Sequence, residues 1–192
     1  MDLPVPLASV DTALREHFGA PASRASVTFV GVDPIEVLRF EPIPRERAYL
    51  SLGMSRHPMT AAQAAVRSAD GVRAELMLHV RDAADEFADV WRRVAVLAAA
   101  PAVEGVVYVP GMTVDLGQPL VSGSLCTGVL VVDGPVGPIA TPAGPVDILQ
   151  VVPAATSELA WCRVHGSAAL RARWAERRTD LLDLARAPVR LN

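Results

Sequence analysis

"VRAELMLHV", residues 72–80, is the stretch on which the fold turns. Ala74, Leu76, Leu78 and Val80 fall on one side of an extended chain, and Arg73, Glu75, Met77 and His79 on the other. That period of two is a strand's. Immediately afterwards the period changes. Phe87, Val90, Trp91, Val94 and Leu97 form a stripe at helical spacing, with Asp82 or Asp85 as the cap and acids in the first turn, where the helix dipole favours them. Pro101 is expected to end this helix.

Toward the N-terminus, Leu7, Val10, Leu14 and Phe18 predict a helix over 7–18, stopped by Gly19 and Pro21. "SVTFVGV" (26–32) and "IEVLRF" (35–40) read as two strands around an Asp33-Pro34 turn, and "RAYLSL" (47–52) as a third. The small-residue segment Ala61 to Ala69 is a loop or a short helix. Toward the C-terminus, "VVYV", "LCTGVLVV", "PVGPIA" and "VDILQVV" suggest a meander of four short strands between 105 and 152. Thr156 can cap a helix with Glu158 in its first turn, ending near Gly166. A last helix carries Leu170, Trp174, Leu181 and Leu184 on one side. The order αβββ–βα–ββββ–αα is not that of a doubly wound sheet. It predicts a single α+β domain over 1–192, with a mixed, mainly antiparallel sheet flanked by helices.

Half of the 192 residues are apolar, enough for a core, and the net charge is −3. All 18 basic residues are Arg. Residues 1–162 hold 11 Arg against 18 acids, whereas residues 163–192 hold 7 Arg against Glu176, Asp180 and Asp183. The basic end reads as the wet face of a terminal helix. With few aromatic residues among its arginines, no nucleic-acid partner is expected. The longest strongly apolar runs, such as Val94 to Val103, are shorter than the roughly 20 residues a membrane span requires. The N-terminus has no basic segment leading into a long apolar one. A cytoplasmic protein without a membrane partner is therefore expected, with Cys126 and Cys162 as reduced thiols.

"YLSLGMSRHPMT" (49–60) raises the question of a site. Met54, His57 and Met59 are types that suit copper(I), but no second ligand cluster supports them, and a turn leaving a strand is the favoured reading. Arg56 and His57 could instead meet an anion. Glu75 and His79 share a face, yet four residues of strand separate them by about 13 Å, too far to share a metal ion or a proton. Cys162 and His165 are neighbours on a helix and form a candidate nucleophile pair, against which stands the usual burial of cysteine. G-x-G-x-x-G after a strand, the P-loop, H-E-x-x-H and G-x-S-x-G are all absent, and "GSLCTG" (123–128) has the wrong spacing for a nucleophile elbow. No metal or other cofactor is expected.

Taken in order, "YLSLGMSRHPM" (49–59), "RAELMLHV" (73–80), "WRRVAVLAAAP" (91–101), "GPVDILQVVPAATSELAW" (144–161) and "HGSAAL" (165–170) resemble the suppressor of fused family over about residues 10–185. The resemblance implies a compact α+β domain acting as a non-catalytic protein-binding module. Animal members restrain a zinc-finger transcription factor of Hedgehog signalling. Bacterial single-domain relatives are proposed to be immunity proteins that neutralise toxins, and this chain has room for one such domain. The expected partner is a protein, such as a toxin whose active site is occluded, with Arg56, His57, Glu75 and His79 as candidate partner-binding residues. Two other classes stay open: a cysteine-dependent enzyme using Cys162 and His165, and a structural or oligomerising subunit.

Overall fold

The alternation of residues 72–80 is realised as one of the inner strands of a single seven-stranded sheet. The computed structural model describes residues 5–64, 71–81 and 90–191. The expected Asp82 or Asp85 cap, Phe87 and most of Ala61 to Ala69 lie outside them. In chain order the elements are helix α1 (Val5–Phe18), strands β1 (Ser23–Val27), β2 (Ile35–Phe40) and β3 (Glu46–Leu52), a 3-10 turn (Met54–Arg56), β4 (Arg73–Arg81), α2 (Val90–Val103), β5 (Thr113–Asp115), β6 (Cys126–Asp133), β7 (Val146–Ala155), α3 (Thr156–His165) and α4 (Ser167–Glu176). The sheet order is β1-β2-β3-β4-β7-β6-β5, and only the β4–β7 pair is parallel. The expected α+β fold with a mixed, mainly antiparallel sheet is the one observed.

Both faces of the sheet are covered. Leu7, Val10 and Leu14 of α1 pack on Leu38, Phe40, Leu50, Leu52 and Met77. Val90, Val94, Leu97 and Ala98 of α2 close the opposite face over Val37, Tyr49, Leu76, Leu78 and Val80. β4 contributes to both cores because its side chains alternate between them. At the β6–β7 end, Leu159, Cys162, Leu170 and Trp174 bury Leu130, Val132, Val152 and Ala154.

Several elements differ from expectation: β1 covers Ser23–Val27 instead of 26–32, and β5 has no counterpart among the expected strands. "VVYV" is not a strand, and "PVGPIA" supplies only an isolated bridge between Ile139 and Val146. Helix α2 does not stop at Pro101 but continues to Val103. Pro101 lacks the N–H that would bond the carbonyl four residues back, that of Leu97. The buried Tyr108 hydroxyl donates to that carbonyl instead, at 2.8 Å. Burial raises the Tyr108 pKa well above its ordinary value, with Glu104 adding to the shift, so it remains a donor. Tyr108→Phe is expected to cost about 1–3 kcal/mol, since it orphans a buried carbonyl. In a Pro101→Ala background, where alanine restores an N–H, urea denaturation should show a smaller cost. Equal costs in both backgrounds would sink this account.

The last helix also ends early. α4 stops at Glu176, so Leu181 and Leu184 do not continue its face. The Thr179 N–H returns to the Trp174 carbonyl (2.9 Å) and the Arg178 N–H to that of Ala175 (3.1 Å), with Arg178 at φ 50°. These are the two bonds of a Schellman cap, in which the left-handed position usually belongs to glycine. Asp180 and Asp183 then each accept from an N–H two residues on, Leu182 (3.2 Å) and Ala185 (2.8 Å), turning the chain. The resulting strap buries Leu184 in the α2-side core, and its Val189 and Leu191 pack at the α3–α4 end. The arginine-rich end is thus docked along this strap.

Candidate functional site

The loop after β3 is fixed from beneath by two residues of β4. The β3–β4 ladder ends at the Leu50–Met77 pair. Beyond it the Ser51 hydroxyl accepts the Leu76 N–H at 2.9 Å and donates to Glu75 Oε2 at 2.5 Å. Glu75 Oε1 accepts the N–H groups of Gly53 (2.8 Å) and Ser55 (2.9 Å) and the Ser55 hydroxyl (2.6 Å). Arg73 does the complementary work: its Nη1 donates to the carbonyls of Ser55 (2.9 Å) and Arg56 (2.7 Å), and its Nε to that of Ala143 (3.1 Å). One β4 side chain therefore satisfies the loop's donors and another its acceptors, the accounting that an irregular buried backbone demands. Gly53 completes the bend at φ 142°, where a Cβ would lie 2.9 Å from the Pro34 carbonyl oxygen.

This geometry sorts the sequence candidates. Glu75 is fully buried, with its oxygens engaged by the loop. A surface contact for Glu75 is thereby corrected: the alternation shows which face a residue takes but not whether a loop covers it. Met54 and Met59 are buried in the core rather than offered to a metal, and Met59 Sδ accepts the Tyr108 N–H at 3.4 Å. Among the described residues, no three of His, Cys, Asp and Glu gather in a metal-binding arrangement. His57 is well exposed (68%) and its Nε2 lies 3.0 Å from Asp33 Oδ2, while Arg56 Nε lies 3.8 Å from the same oxygen. His79 belongs elsewhere: its Nε2 is 3.0 Å from Glu46 Oε2, a carboxylate shared with Arg81. Glu75 and His79 therefore engage different partners.

Cys162 is buried, and that burial raises its thiol pKa against a smaller opposing effect of Arg163. A nucleophile requires the reverse shift. The His165 ring stacks on Trp161, with centroids 4.2 Å apart.

Asp33 and His57 line a groove of about 440 Å³ between the β1–β2 turn, the loop and the end of α2. Ala98, Pro101 and Val103 of α2 form one wall. Val103 is 61% exposed, and Val30, in the turn that supplies Gly31 and Val32 to the groove, is fully exposed. Asp33, brought to His57 from the preceding turn, carried no sequence signal beyond Asp-Pro turn chemistry.

The second feature missed in the sequence is Glu158. Fully buried, it takes Arg186 Nη1 and Nη2 on its two oxygens, both at 2.8 Å. It also accepts from Trp174 Nε1 (3.0 Å) and from the N–H groups of Val189 (2.9 Å) and Ala155 (2.8 Å). Ala155, not Thr156, is the residue before the first turn of α3. No spacing rule could join residues 158 and 186.

The family model for suppressor of fused protein matches residues 31–187. The chain belongs to the suppressor of fused family. No curated protein sequence matches it. Its fold is similar to that of a chain in the Sufu–Fu complex crystal structure (TM-score 0.68, 16% identity, 96% of this chain and 90% of that one). It is equally similar to a protein from Neisseria gonorrhoeae FA 1090 described as a SUFU homologue (TM-score 0.69, 17% identity, 96% and 97%). Drosophila Suppressor of Fused gives a TM-score of 0.66 at 16% identity over 96% of this chain, which spans 50% of that one. Among the described residues of this suppressor of fused domain, no helix is long and apolar enough to cross a membrane.

Proposed function

We propose that this chain is a non-catalytic protein-binding module that acts by covering a surface of its partner, with the Asp33–His57 groove as the contact. The observation that carries this reading is the clamped loop. Glu75 and Arg73 hold it from below, so His57 and Arg56 are presented in one geometry and little ordering is left for binding to oppose. The exposed Val30 and Val103 supply an apolar margin. Glu75 acts as a positioning residue, and His79 lies outside this contact.

The partner in this proposal is a cytoplasmic toxin enzyme neutralised by occlusion, as for an immunity protein. The excess of 18 acids over 11 arginines in residues 1–162 suits a basic enzyme and would speed the encounter. Family membership, and a similar fold in the Sufu–Fu complex, support protein recognition in general.

Co-purification with a toxin encoded beside the gene, followed by titration of that toxin's activity, tests the proposal. Stoichiometric inhibition is expected, weakened about tenfold or more by Asp33→Ala with His57→Ala. Because both residues are exposed, the melting temperature should hardly change. Full inhibition by the double variant would remove the groove from the contact, and absence of binding at micromolar concentration would remove the toxin.

A further inference from the structure

The three acids of the basic C-terminal stretch are all engaged: Glu176 with Arg173 at 2.8 Å, Asp180 with Arg81, and Asp183 with the Ala185 N–H. Arg171 and Arg178 have no hydrogen bond or ion pair from their guanidinium groups among the described residues. Both line a second groove of about 340 Å³ at the β6–β7 end, remote in the fold from the Asp33–His57 loop. Its apolar lining includes Val152 and Trp174, and Gln150 and Thr179 add an amide and a hydroxyl. Asp133 is the one acid among the groove's described lining residues. Two cations against one anion leave the groove positive.

Arg178 holds the left-handed position of the Schellman cap, with φ 50°. Glycine suits that position best and a long side chain is strained there. Local structure therefore gives no reason for arginine, whereas two guanidinium forks beside one groove match carboxylates.

We propose that this groove binds a carboxylate-rich segment of a partner protein, with Arg171 and Arg178 clamping its acidic side chains. Thr179 and Gln150 hydrogen-bond the segment, and Trp174 provides an apolar surface for its stems. Both guanidinium groups are exposed, so binding should weaken as salt is added.

The test is fluorescence anisotropy with a labelled glutamate-rich peptide, using the full chain. Saturable binding is expected, with a lysine-rich peptide inert. Arg171→Gln and Arg178→Gly should each weaken it about tenfold. Arg178→Gly should also leave the melting temperature unchanged or higher, which separates lost recognition from lost folding. Undiminished binding by Arg178→Gly, or no binding by the parent chain, overturns the proposal. So does inorganic phosphate that competes as well as the peptide, because the groove would then hold any small anion. Neither variant touches the Asp33–His57 groove, so these results and those of toxin titration are independent.

Discussion

Arg186→Met is expected to cost about 3–5 kcal/mol, because it leaves the Glu158 carboxylate buried without its countercharge. The methionine retains most of the length and apolar stem, so the loss reports the charge rather than a cavity. Burial acts against ionisation of Glu158, but the hydrogen bonds from Arg186 and from the Val189 and Ala155 N–H groups outweigh it, and the pKa is lowered below 4.5. A carboxyl group with a depressed folded-state pKa contributes stability that is complete above its unfolded value. That contribution is lost as pH falls through the folded value. Urea midpoints of the parent chain should therefore fall with acid from about pH 4.5 downward. In Arg186→Met this part of the acid loss should vanish or reverse, since protonation relieves the orphaned charge. A variant as stable as the parent, with an unchanged acid profile, would mean that the strap docks through Leu184, Val189 and Leu191 alone.

Glu75→Gln should cost about 2–4 kcal/mol despite being nearly isosteric. Glu75 is held by two N–H groups and two serine hydroxyls, all donating. An amide keeps an oxygen on the loop only by turning its NH₂ to the Ser51 hydroxyl, which must then accept instead of donate and loses its own acceptor. The loop's N–H groups meanwhile meet a neutral oxygen in place of a charged one. The substitution should also reduce partner binding, because the loop carrying His57 loses its underside. Asp33→Ala with His57→Ala should reduce binding alone. Chemical denaturation of the two variants, measured beside their inhibition titrations, separates the supporting residue from the contacting ones. Wild-type stability in Glu75→Gln would show that Arg73 holds the loop unaided.

The sequence signals that proved readable were short-range. "IEVLRF" is β2 from end to end, and the alternation through Ala74, Leu76, Leu78 and Val80 assigns their face correctly. Shared order along the chain was enough to indicate the family. What escaped was set by partners distant in sequence. Pro101 stays helical because Tyr108 supplies the missing donor, and Glu158 becomes a hub because Arg186 returns to it from the strap. At the candidate site, the exposure of His57 could be inferred from a polar turn, whereas Arg56 is half-buried. The depth of Glu75 could not, because a strand's two faces look alike in sequence whether water or another loop lies beyond them.

The lone parallel seam, β4 against β7, has a kinetic consequence. β1 to β4 can zip together hairpin by hairpin, and β6 and β7 likewise, whereas Arg73 meets Val146 only after a long excursion of the chain has closed. Closing that excursion is entropically expensive and is rewarded late. Newly synthesised chains would therefore pass through a stage with two half-sheets formed and their inner edges still open, and those edges are where misassembly with another chain would begin.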